Sequence, residues 1–134
     1  MKILALDMGD AWIGIAISDT EHRFSFPLQT IKTAELATTL PKLVATQEIT
    51  TVIYGLPFTL RGECGTQSQK VLAQIDALKT LLPQLTWMPI DERFSSQGAR
   101  EVLRQQGKNV KDTKQQEHAI VAALLLQSYL DSRR

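Results

Sequence analysis

The stretch Met1-Lys-Ile-Leu-Ala-Leu-Asp7-Met-Gly9-Asp10 decides how the rest of the chain is read. Residues 2–7 form a compact apolar run, the pattern of a strand buried on both faces. That run ends on a carboxylate followed by a glycine. A charge at the end of a buried strand is costly unless something pairs with it. A divalent metal, or a metal bound to phosphate, is a common partner for such an acid. Asp7 is therefore the leading site candidate. A second strand follows over residues 12–19 (Trp-Ile-Gly-Ile-Ala-Ile-Ser-Asp), and the Gly9-Asp10 link between them reads as a hairpin turn.

Outward from this hairpin, residues 24–31 alternate as a third strand, in which Pro27 predicts an edge position or a bulge. Residues 34–47 fit a helix with Leu36, Leu40, Leu43 and Val44 on one face. Thr51–Gly55 is a short buried strand, and 56–65 a loop carrying Gly and Pro. Residues 66–82 fit a second helix, and Thr86–Ile90 a fifth strand. Ser95 or Ser96 would cap a helix ending near Gln106, with Gly107 as its stop. Gly107–Thr113 is polar and reads as a mobile link. Residues 114–131 form a last helix, apolar over most of its circumference. The order β-β-β-α-β-α-β-α-α predicts an α/β fold: a meander and then βαβ units, giving a mixed five-stranded sheet with helices on both faces.

Bulk properties narrow the function classes. A chain of 134 residues suits one domain spanning 1–134. Fifteen Lys and Arg against fourteen Asp and Glu give a formal charge of +1, so any nucleic-acid binding must come from local patches. A single cysteine, Cys64, excludes an internal disulfide and suits a reducing compartment. It has no His or Cys partner at nucleophile or zinc spacing and reads as a loop thiol. His22, beside Glu21, reads as turn chemistry. The N-terminus does not resemble a signal peptide, and no apolar run spans a bilayer. The expected location is cytoplasmic, with no membrane partner.

In mixed α/β sheets, sites gather at the carboxyl ends of parallel strands. Three such ends carry unusual residues: Asp7-Met-Gly9, Tyr54-Gly55-Leu56-Pro57 and Asp91-Glu92-Arg93-Phe94-Ser95-Ser96. Each has a bland reading as turn, loop or helix cap. Their convergence on one sheet edge favours a site.

Together the motifs Asp7-x-Gly9-x4-Gly14-Ile-Ala16, Gly55-Leu-Pro57 followed by Gly62, Asp91-Glu92-Arg93-Phe94-Ser95-Ser96 and Ala122-Ala123-Leu-Leu-Leu-Gln127-Ser-Tyr129-Leu130 resemble the YqgF/RuvX family. This is the pre-16S rRNA nuclease and Holliday junction resolvase-like family. The resemblance runs from about Ile3 to Asp131. It implies an RNase H-like fold and a hydrolase that trims the 5′ end of precursor 16S rRNA in ribosome biogenesis. The second substrate class is branched DNA, with the chain a monomer or weak homodimer. It further implies a site for two Mg²⁺ or Mn²⁺ ions, since paired hard cations can generate a nucleophilic water and neutralise the leaving oxygen.

On that resemblance Asp7 is the bridging metal ligand, Glu92 the second and His118 the third, and the same three are the expected catalytic residues. Asp91 is a supporting acid. Arg93 pairs with Asp91 or with phosphate, and Ser95 and Ser96 offer hydroxyls and N–H groups to phosphate. Arg61, Lys111 and Lys114, with Lys108, are the remaining nucleic-acid-binding candidates. Gly9, Gly14, Gly55 and Pro57 shape the motif backbone.

Two positions depart from the family pattern. His118 stands where the family usually has an Asp ligand, and imidazole suits Mg²⁺ less well than Mn²⁺. Ala11 and Trp12 replace the usual Lys or Arg, removing phosphate contacts; Trp12 either stacks on a base or packs at the strand start. These departures motivate an alternative expectation: a member with weakened catalysis that binds precursor RNA or a protein partner. A sugar-kinase-like ATPase, which shares Asp-x-Gly, needs two such domains and does not fit in this length.

Overall fold

The computed structural model describes residues 1–56, 66–91 and 110–133. The elements are β1 (Lys2–Met8), β2 (Trp12–Ser18), β3 (Ser25–Lys32), a 3₁₀ turn at Thr33–Glu35, α1 (Leu36–Gln47), β4 (Ile49–Leu56), α2 (Thr66–Leu81), β5 (Thr86–Asp91) and α3 (Val110–Ser132). The expected helix at 95–106 lies outside the described residues. No described helix is long and apolar enough to cross a membrane.

The strands form one sheet in the order β3-β2-β1-β4-β5. β1 pairs antiparallel with β2 and parallel with β4, so the apolar opening strand lies at the centre of a mixed sheet, as expected. β4 and β5 are parallel. Pro27 sits on the edge strand, and the register there slips: Ile15 faces Gln29 while Ala16 faces Pro27, leaving Leu28 as the extra residue of a bulge. Both expectations for Pro27 hold, because proline has no N–H to donate to a ladder and is confined to edges and bulges.

Side chains alternate across β1 and divide the core in two. Leu4, Leu6 and Met8 join Ile13, Ile15, Val52 and Tyr54 beneath α1 and α2, which contribute Leu36, Leu40, Val71, Ile75 and Leu78. Ile3 and Ala5 face the other way, with Ala16 and Ile53, beneath Ala122, Leu126 and Leu130 of α3. Among the polar groups, burial and the nearby charge of Asp76 push the Tyr54 hydroxyl upward.

Element starts differ from the sequence reading in two places, at β4 and at α3. α1 closes on Glu48 in the left-handed region (φ 55°), whose N–H reaches the Val44 carbonyl, and the chain turns directly into β4. β4 therefore starts at Ile49 rather than Thr51, because Lys2 of β1 offers it a partner. α3 starts at Val110, so the segment expected as a mobile polar link over 107–113 is helical from 110 onward. Polar residues such as Lys and Gln are good helix formers, and polarity alone does not mark a loop.

The β2–β3 turn is held by Asp19, whose Oδ1 accepts the N–H groups of Arg23 (2.8 Å) and Phe24 (3.0 Å). The Phe24 N–H chiefly holds this carboxyl below its ordinary range. His22 adopts φ 59° in this turn and its Nε2 lies 2.8 Å from the Met1 carbonyl oxygen, consistent with turn chemistry. Ser18 ends β2 with its hydroxyl accepting the Ile3 N–H at 2.8 Å.

Gly14 sets how closely α3 lies on the sheet. A Cβ there would overlap the carbonyl of His118 and crowd the Ala119 nitrogen. The helix backbone therefore rests directly on β2, and the small residues Ala5, Ala16 and Ala122 continue this close layer.

Gly14→Ala should destabilise the protein by about 2–3 kcal/mol, since a backbone cannot yield as a flexible side chain does. Its urea midpoint should fall accordingly, and an unchanged midpoint would contradict the close packing. Ser18→Ala should cost about 1–3 kcal/mol by stranding the buried Ile3 N–H, whereas Ser18→Thr should retain most of the stability in the same titration.

Candidate active site

Asp7 is the penultimate residue of β1 and pairs with Gly14 of β2. It shares the face of Ile3 and Ala5, the one covered by α3. Only 11% of its side chain is exposed. His118 arrives from α3, and its Nδ1 lies 2.8 Å from Asp7 Oδ2. A carboxylate can only accept, so His118 Nδ1–H donates to it. The His118 side chain is 31% exposed, so the pair sits at the rim of the core.

The contact follows from the helix register. His118, Ala122, Leu126 and Leu130 recur every four residues and form one stripe of α3. The last three lie in the buried layer over β1. Extending that stripe by one turn toward the helix N-terminus carries His118 over the carboxyl end of β1, where Asp7 stands. Gly14, opposite Asp7, provides the space under the His118 backbone.

The β1–β2 turn completes the cradle. A Cβ on Gly9 would meet the Trp12 carbonyl oxygen at 2.5 Å and His118 Cε1 at 3.2 Å. Thr33 braces the turn, donating its hydroxyl to the Gly9 carbonyl at 3.1 Å and its N–H to the Ala11 carbonyl at 3.0 Å. At the other end of α3, Gln127 Oε1 accepts the Ser25 N–H (3.0 Å) and its Nε2 donates to the Arg23 carbonyl (3.0 Å). Ser25 in turn donates its hydroxyl to the Ala123 carbonyl at 2.7 Å. These bonds lock α3 to the β2–β3 hairpin and so fix the register that presents His118.

Of the residues expected in the site, Asp7 and His118 are brought together, with Gly9 and Gly14 shaping the backbone around them. Gly55 lies near the end of β4, opposite Ile90, and Asp91 ends β5 opposite Leu56. Both strand ends therefore stand on the same sheet edge as Asp7. Lys111 and Lys114 belong to the first turns of α3. Pro57, Arg61, Glu92, Arg93, Ser95, Ser96 and Lys108 lie outside the described residues, as does Cys64. Among the described residues no group of three or more His, Cys, Asp or Glu gathers as a metal cluster. Thr33, Gln127 and Ser25 were not read from sequence. Only the motif position of Gln127 hinted at any of them, because their partners lie in other elements.

The RuvX family model, described as Holliday junction resolvase, matches residues 1–132. A protein of Chloroflexus aggregans named "Putative pre-16S rRNA nuclease" is 39% identical over 135 residues, covering 98% of this chain and 94% of its own length. A Rubrobacter xylanophilus protein of the same name is 34% identical, with 97% of this chain and 92% of its own covered. Among solved structures, Thermus thermophilus RuvC in complex with a Holliday junction superposes with a TM-score of 0.63 at 14% identity, over 99% and 96% of the two chains. Fowlpox virus resolvase, bound to its junction DNA, gives 0.62 at 14% identity over 99% of both. At such identities the likeness establishes the fold, the RNase H-like sheet expected from the sequence motifs. With its family match running from residue 1 to residue 132 and its relatives alike over nearly their whole length, this chain belongs to the RuvX family of Holliday junction resolvase-like nucleases.

Proposed function

We propose that this chain is a divalent-metal-dependent nuclease acting on structured nucleic acid, with the 5′ end of precursor 16S rRNA as its foremost substrate. The observation that carries this reading is the 2.8 Å contact between His118 and Asp7 at the end of the central strand. The names of the full-length relatives supply the substrate class, and an enzyme acting on ribosomal precursors works in the cytoplasm.

The donor set suits a cation. Asp7 Oδ2 and His118 Nδ1, 2.8 Å apart, are close enough that both would hold one divalent cation. One carboxylate oxygen and one imidazole nitrogen favour Mn²⁺ over Mg²⁺. Glu92, which follows β5 directly in sequence, is the proposed further ligand, with Asp91 as a supporting acid. Bound there, divalent ions supply Lewis acidity that lowers the pKa of water and neutralises charge on the phosphodiester oxygens.

The chain's own residues do the rest. Asp7 is held on a rigid strand, and its low exposure strengthens its attraction for positive charge. His118 is oriented by the carboxylate and by the backbone seat on Gly14. Trp12, whose carbonyl lies against Gly9, and Lys32, which faces it across β2 and β3, are proposed to position nucleic acid. Arg93, Ser95, Ser96, Arg61, Lys111 and Lys114 are the further proposed contacts to phosphate. A binding-only protein has no need of an imidazole set against the buried acid, so the Asp7–His118 pair favours catalysis over that alternative.

Cleavage should be tested on a precursor 16S rRNA 5′-leader fragment and on a four-way DNA junction, each with Mn²⁺ or Mg²⁺. Asp7→Asn should lower the rate by more than about a hundredfold, because even outer partners of metal ligands matter by that much. It should also remove the rise in melting temperature produced by Mn²⁺. Undiminished cleavage by this variant would overturn the site assignment. Wild-type activity should be higher in Mn²⁺ than in Mg²⁺, and His118→Asp should narrow or reverse that preference. An unaltered metal preference in His118→Asp would remove His118 from the ligand set.

A further inference from the structure

Beside the Asp7–His118 contact lies a groove of about 450 Å³ between the β2–β3 hairpin and α3. Trp12, Pro27, Leu28 and Thr30 line it on one side, and Ala119 and Ile120 on the other. Its size falls within the ~300–1,000 Å³ of ordinary small-molecule sites. The groove is adjacent to the candidate active site. Ala119 and Ile120 follow His118 directly in α3, and the Trp12 carbonyl packs against Gly9.

Three features specify the occupant. Trp12 is two residues before Gly14 on β2, so it stands on the α3 face and offers a half-buried aromatic ring. Among the described residues, no carboxylate lines the groove. Lys32 is directly opposite Trp12 in the antiparallel register, which places its exposed side chain on the same face. A flat ring, apolar walls and a neighbouring cation form the combination that takes a single-stranded base with its phosphate.

We infer that this groove binds an unpaired nucleobase flanking the scissile phosphodiester, stacked on Trp12, with Lys32 on an adjacent phosphate. The inference rests on the nuclease reading and adds a substrate preference to it. A paired base has both faces covered by its neighbours and cannot enter. The enzyme therefore favours substrates with a single-stranded extension or a flipped base next to the cleavage point.

Fluorescence anisotropy tests this with Ca²⁺ present to suppress cleavage. The probes are a short single-stranded RNA, DNA of the same sequence, and the blunt RNA duplex. Trp12→Leu should weaken binding of the single strands about tenfold and leave the duplex unchanged. Trp12→Phe keeps a ring and should restore most of the loss, which guards against a folding defect in the leucine variant. Lys32→Gln should weaken binding of all probes and reduce the salt slope by about one. Equal losses on single strand and duplex in Trp12→Leu, or no loss on either in that variant, would overturn the groove assignment. If wild type cleaves the precursor while Trp12→Leu binds single strands normally, the groove assignment alone fails. If wild type neither binds nor cleaves nucleic acid, the nuclease reading fails with it.

Discussion

The backbone of α3 lies directly on Gly14, and the rest of the candidate site depends on that contact. Because β2 offers no side chain there, the His118 carbonyl occupies the place a Cβ would fill. The helix is thereby held one layer closer to the sheet than a larger residue would allow. Gly14 is also the register partner of Asp7. The same pairing that buries the acid thus brings the imidazole-bearing turn of the helix above it. Removing the glycine would affect stability and chemistry through one displacement.

The burial of Asp7 at the end of an otherwise apolar strand runs against the cost of desolvating a charge. His118 offsets part of that cost with a hydrogen bond from Nδ1. The arrangement leaves a carboxylate and an imidazole at cation-ligand spacing in a site of low exposure. Such a pair has little value as a structural ion pair, where an apolar substitution would serve as well or better. Its position at the carboxyl end of the central strand, beside the ends of β4 and β5, is where catalytic groups collect in parallel-stranded sheets.

Support for the site is spread widely through the chain. Thr33, just beyond the edge strand, braces the turn that carries Gly9. Gln127 and Ser25 tie α3 to the β2–β3 hairpin at the end remote from His118. A helix pinned at one end and seated on a glycine at the other cannot slide without breaking both. The groove beside Trp12 lies between the bulged edge strand and the helix.

Much of the architecture was legible in residue order. The apolar run through Leu6, the turn at Gly9, the edge or bulge signal of Pro27 and the alternation of strands and helices led to the observed mixed sheet. Asp7 stood out because a charge at the end of such a run is unusual. The motifs supplied His118 as a candidate, but no local pattern could show that it touches an acid 111 positions away. Element ends were less legible. β4 gained residues from a ladder partner in β1, and α3 extended into a polar stretch that composition suggested was a loop. The sequence by itself determined which residues must be buried and in what periodicity, because those follow from local side-chain chemistry. Only the tertiary structure decided that His118 meets Asp7, that Gly14 seats the helix, and that Trp12 lines a groove and has Lys32 opposite it on β3. Those pairings arise from the packing of a helix on a sheet, and helix register relative to a strand is not encoded in either element alone.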